Sequence, residues 1–73
     1  MQIIKKINPK LDTLIDKKVS VHLRINERID GTLIGFDQFL NLVLENSILL
    51  LENKKKVLGT ILIRGNNVSS IEE

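Results

Sequence analysis

Residues 29–45 read IDGTLIGFDQFLNLVLE, and the parsing of that stretch decides the fold. Over residues 28–36 the pattern repeats every second position, with Ile29, Gly31, Leu33 and Gly35 on one face, as in a β-strand with one side buried. A glycine inside a strand marks a sharp bend or a close backbone approach. Two of them four residues apart predict a strand curling into a small barrel. Residues 37–40 break the alternation, and Asn41 leads into a long third strand over residues 42–52. Its polar middle, Glu45, Asn46 and Ser47, predicts a second bend.

Working outward toward the N-terminus, Val19, Val21, Leu23 and Ile25 alternate with Ser20, His22 and Arg24, which predicts a half-buried first strand turned by Asn26 and Glu27. Before it, Asn8 followed by Pro9 reads as an N-cap with proline at the first helical position, and Leu11, Leu14 and Ile15 share one helical face. Asp12 near the helix start and Lys17 and Lys18 at its end suit the macrodipole. Toward the C-terminus, residues 52–56 read as a polar turn, 57–63 as a fourth strand, Arg64-Gly65-Asn66 as a tight connection and 67–71 as a fifth strand. The expectation is a mainly β fold in one domain over residues 1–73. It comprises an arm at 1–8, a short helix at 9–17 and a strongly bent five-stranded antiparallel barrel of SH3-like or OB-like type at 18–72.

A chain of 73 residues has room for one site, and domains this small usually need a disulfide, a metal or a partner as reinforcement. Cysteine is absent and His22 is the single histidine, so neither a disulfide nor a zinc site is expected. Oligomerisation is the remaining reinforcement. The fourth and fifth strands are short, apolar and terminal, so at least one should be a sheet edge open to another chain. The longest apolar run, residues 48–51, is far below the roughly 20 residues of a membrane span. With no signal-like apolar segment either, a cytosolic or nuclear protein is expected. The net charge of +2 is too weak to hold a duplex backbone by charge alone, although several such subunits together form a basic assembly.

Two stretches resemble the motifs of the Sm and Sm-like family: residues 29–45, with apolar-x-Gly, Gly35-Phe36-Asp37 and Asn41, and ILIRGNNV at residues 61–68. Both motifs in order, after a helix and first strand in the family's positions, extend the resemblance over nearly the whole chain. It implies the Sm fold and a seven-membered ring whose subunits each offer one pocket to one nucleotide of uridine-rich RNA, such as a small nuclear RNA. It implies further that neighbouring Sm proteins join through the fourth and fifth strands, with homo-oligomers possible for the isolated chain. Carried onto this sequence, Phe39 stacks on the base, Asn41 bonds its edge and Arg64 covers its other face. Asp37 orients the Asn41 amide, and Gly65 admits close backbone approach. The chemistry agrees: an aromatic ring and a guanidinium sandwich a base, and an amide both donates and accepts along a base edge. The implied setting is pre-mRNA splicing in the nucleus, with a cytoplasmic pool during assembly.

Each residue also has an ordinary structural use. A lone Phe is more often core, but Phe39 falls between strands, whereas Phe36 ends an apolar strand and is assigned to packing. Asn41 alone is as well read as a strand cap, Arg64 alone as a solvated strand end, and Asn66 as turn geometry. His22 has no acidic partner in local register and reads as surface. Lys54, Lys55 and Lys56 read as a solvated turn, with flanking RNA phosphates as the alternative. Asp30, Glu45 and Glu52 lack the spacing of a metal site or an acid–base pair, so neither an enzyme nor a cofactor is expected. Two other readings compete: a subunit of the Sm-like ring that binds oligouridine tails, and an SH3-like protein interaction module without RNA. The second lacks the exposed aromatics that peptide grooves need.

Overall fold

The computed structural model describes residues 11–73. The expected arm and the Asn8-Pro9 helix start lie outside the described residues. Within them the helix, α1, is Leu11–Leu14, followed by β1 (Lys18–Leu23), β2 (Arg28–Phe36), β3 (Leu42–Leu51), β4 (Lys54–Ile63), a 3-10 turn (Gly65–Asn67) and β5 (Val68–Glu72). All pairings are antiparallel, in the order β4-β3-β2-β1-β5. Both terminal strands are therefore sheet edges.

Simple dimensions force this sheet to curl. Strands pair about 4.8 Å apart, so a flat five-stranded sheet keeps its outer strands roughly 19 Å apart. The connector from β4 to β5 is residues 64–67, which reach at most roughly 14 Å. The outer strands must converge at that end, and the bends that let them do so lie where the sequence places them. The β2–β3 register shifts beside Gly31 and between Leu33 and Gly35, and the β3–β4 register shifts across the polar stretch between Leu44 and Ile48. Asn46 takes a left-handed φ of 52° there. At Gly31 a Cβ would stand 3.1 Å from the Cβ of Ser47, so the missing side chain lets β2 and β3 close at the bend.

The barrel interior holds Val19, Val21, Ile29, Leu33, Leu42, Leu44, Ile63, Val68 and Ile71, with Leu11 and Leu14 of α1 packed on it. The helix end is tied down by backbone bonds from the Asp16 N–H to the Leu33 carbonyl and from the Leu33 N–H to the Lys17 carbonyl. Phe36 is partly buried against this core. Ser47 is the one fully buried polar side chain among the described residues, and its hydroxyl donates to the Gly59 carbonyl. No helix among the described residues is long and apolar enough to cross a membrane.

Several sequence expectations need correction. Ile25 lies in the β1–β2 turn and is 70% exposed, because the alternation stops at Leu23, where the Leu23 N–H turns to the Glu27 carbonyl. Lys54, Lys55 and Lys56 are not a turn. They pair with Leu51, Leu50 and Leu49, and Glu52 and Asn53 alone reverse the chain. Lysine has weak strand preference, but a two-residue hairpin needs no longer connection and pairing with β3 overrides propensity. β5 starts at Val68 rather than 67, since Asn67 closes the 3-10 turn by donating its N–H to the Arg64 carbonyl. His22 does have an acidic partner, Glu72 of β5, at 3.3 Å. That contact spans 50 residues and is invisible to local register.

Candidate nucleic-acid interface

The β2–β3 loop is organised by one carboxylate. Asp37 and Asn41 close it through the Asp37 N–H and the Asn41 carbonyl at 3.2 Å, and the Leu40 N–H donates to the Asp37 carbonyl at 3.0 Å. Asp37 Oδ1 accepts the backbone N–H of Phe39 at 2.9 Å and of Asn41 at 3.0 Å. Oδ2 accepts Nδ2 of Asn41 at 2.9 Å. These donors favour the ionised form, the Asn41 side-chain amide most, and they outweigh desolvation to hold the carboxyl below its usual range.

Leu40 explains why Phe39 faces solvent. Its φ is 65°, an uncommon conformation for a branched side chain, and it is 4% exposed. The loop thus drops Leu40 into the core as an anchor and leaves Phe39 outside, 70% exposed. An aromatic this bare adds nothing to the core and is available to a flat partner.

The second half of the site comes from the end of β4. Ile63 is buried, Arg64 is exposed and Gly65 is buried. The Gly65 N–H donates to Asn41 Oδ1 at 2.8 Å, which joins the two motifs across 24 residues. A Cβ at position 65 would fall inside the van der Waals shell of the Phe39 carbonyl oxygen. The space glycine leaves is therefore filled by the protein's own loop. The sequence-based reason for Gly65, close approach to a base, gives way to close approach of the two motifs to each other.

Asn41 is consequently held at both ends. Its Oδ1 has accepted one hydrogen and its Nδ2 has donated one, which leaves one acceptor direction and one donor direction in a fixed order. Asp37, Phe39, Asn41, Arg64 and Gly65 come together; the lysines of β4 stand at the opposite end of that ten-residue strand. Leu40 was missed by sequence reasoning, since nothing local distinguishes a buried loop leucine from an exposed one. Among the described residues no group of three or more His, Asp or Glu side chains is arranged to hold a metal ion.

Residues 9–73 match the LSM domain family. The chain is 44% identical over 64 residues to the "Probable small nuclear ribonucleoprotein G" of Medicago sativa, covering 88% of this chain and 79% of that protein. Among solved structures it is similar to a heptameric archaeal Sm protein, with a TM-score of 0.83 and 38% identity over 88% of this chain and 94% of that one. It is also similar to the Sm protein of Pyrococcus abyssii in complex with a uridine heptamer, with a TM-score of 0.84 and 35% identity over 89% of this chain and 93% of that one.

Proposed function

The chain belongs to the LSM family of RNA-binding ring proteins, and on that premise we propose that it is a subunit of a heptameric Sm ring binding uridine-rich single-stranded RNA in a spliceosomal small nuclear ribonucleoprotein. The whole chain acts as one Sm domain, of the protein G type, without a chemical step. Its neighbours through the edges β4 and β5 are the Sm proteins E and D3, its RNA is a small nuclear RNA, and it works in the nucleus after assembly in the cytoplasm.

One observation carries the reading: the fixed amide of Asn41 between an exposed aromatic and an exposed guanidinium. Uracil presents an N3–H donor beside a carbonyl acceptor, which fits the remaining acceptor and donor of Asn41. Cytosine in the same pose presents the reverse order. The amide cannot turn to suit it, because a flip would set Nδ2 against the Gly65 N–H and Oδ1 against the Asp37 carboxylate. Phe39 and Arg64 supply stacking on the two faces, worth about 1–3 kcal/mol per base.

The test is oligouridine binding by the assembled ring carrying Phe39→Ala or Arg64→Ala. Each change should weaken binding roughly tenfold, since about 1.4 kcal/mol corresponds to that factor, while ring size is unchanged. Affinity unaltered by both substitutions would mean that the base sits elsewhere.

A further inference from the structure

The two sheet edges of this chain carry opposite charge. The outer edge of β4 begins with Lys54, Lys55 and Lys56, all exposed, and no ion pair of these three occurs among the described residues. The outer edge of β5 ends in Glu72, with Glu73 following, both exposed. Their only ion pairs among the described residues are His22 with Glu72 at 3.3 Å and Lys17 with Glu73 at 3.7 Å. Side chains this exposed gain little from such pairs and exchange partners readily.

Lysines on an edge strand ordinarily deter pairing, and here they leave one combination favourable. When β5 of another copy lies antiparallel along β4, its acidic end runs toward the lysine end. Its apolar start then falls beside Leu58–Ile63, where Leu62 is 61% exposed and a groove of about 370 Å³ is lined by Leu23, Ile25, Ile29, Ile61 and Leu62. A parallel arrangement would carry the glutamates past Arg64 and leave the lysines facing Val68.

We propose that this chain docks onto a second copy of itself, head to tail, with Lys54–Lys56 on the β4 edge of one copy against Glu72 and Glu73 on the β5 edge of the next. The inference rests on the ring reading for the use of these edges and adds its electrostatic register and a self-complementary partner. Two different edges make a heterologous contact, which closes into a ring when the rotation per subunit allows.

The experiment measures the mass of the purified full chain by light scattering, with far-ultraviolet circular dichroism to confirm folding. The wild type should run at several times the 8.3 kDa of one chain, and high salt should shrink it. The triple change Lys54→Glu, Lys55→Glu, Lys56→Glu and the double change Glu72→Lys, Glu73→Lys should each give folded monomers. Mixing those two variants, or combining all five changes in one chain, should restore the larger species, because the edges are again complementary. A wild type that stays monomeric, single-edge reversals that keep the full size, or no rescue on mixing would each overturn the proposal. So would reversal of the lysines that weakens oligouridine binding while leaving mass unchanged, since the lysines would then face RNA. A monomeric chain that still binds oligouridine beside its Sm neighbours would sink this inference alone. An oligomer that ignores oligouridine would instead sink the base pocket.

Discussion

Asp37 does more for the pocket than any residue that faces the base. It accepts three hydrogen bonds within its own loop and sets the sense of the Asn41 amide. Asp37→Ala should therefore cost the assembled ring its preference for oligouridine over oligocytidine by roughly tenfold, one misplaced hydrogen bond being worth about 1–1.5 kcal/mol; competition binding with the two oligomers measures it. Its carboxyl is held below the ordinary value of 3.8, chiefly by the Asn41 amide. A lowered folded-state pKa contributes stability that is complete above the ordinary value and is lost as pH falls through the lowered one. The Asn41 side-chain resonances should accordingly stay constant down to pH 3.8 and move only below it, as an NMR titration would record. Gly65 acts by absence. Gly65→Ala would force the Phe39–Leu40 backbone off the β4 end, at a cost of about 1–3 kcal/mol for overpacking, seen as a lower urea midpoint.

At the scale of elements, the bends decide whether two motifs far apart in sequence can meet. The β2–β3 pair turns where Gly31 faces Ser47, and β4 turns at Gly59, whose φ is 79°. Ser47 links the two, since its hydroxyl bonds the Gly59 carbonyl inside the barrel. Ser47→Ala removes that donor and leaves a carbonyl unpaired, with an expected loss of about 1–3 kcal/mol in denaturant unfolding at constant protein concentration. Much of this was legible beforehand. The period-two runs gave β2 its observed bounds, and Gly31, Gly35 and the polar patch at Glu45–Ser47 marked the bends. The start of β4 was not legible, because three lysines look like a solvated turn until the leucines they pair with are known.

At the scale of the whole molecule, the fold is unfinished without neighbours. Both outer strands present unpaired backbone groups, and exposed Val57 and Leu62 lie on one of them. If assembly covers these edges, binding adds to folding stability by mass action. The thermal midpoint should then rise as protein concentration increases from micromolar to hundreds of micromolar; a midpoint independent of concentration would show that the single barrel carries all its own stability.

By itself the sequence determined the strands, their bends, the absence of a disulfide and the two motifs holding Phe39, Asn41 and Arg64, because periodicity, glycine placement and residue chemistry are local properties. Only the tertiary structure decided what joins them. The Gly65 N–H reaches Asn41, the Phe39 carbonyl occupies the space of the absent Cβ, and Leu40 turns inward so that Phe39 stands out. These are contacts between segments brought together by the closure of the sheet, and closure depends on the core as a whole rather than on any stretch of the chain.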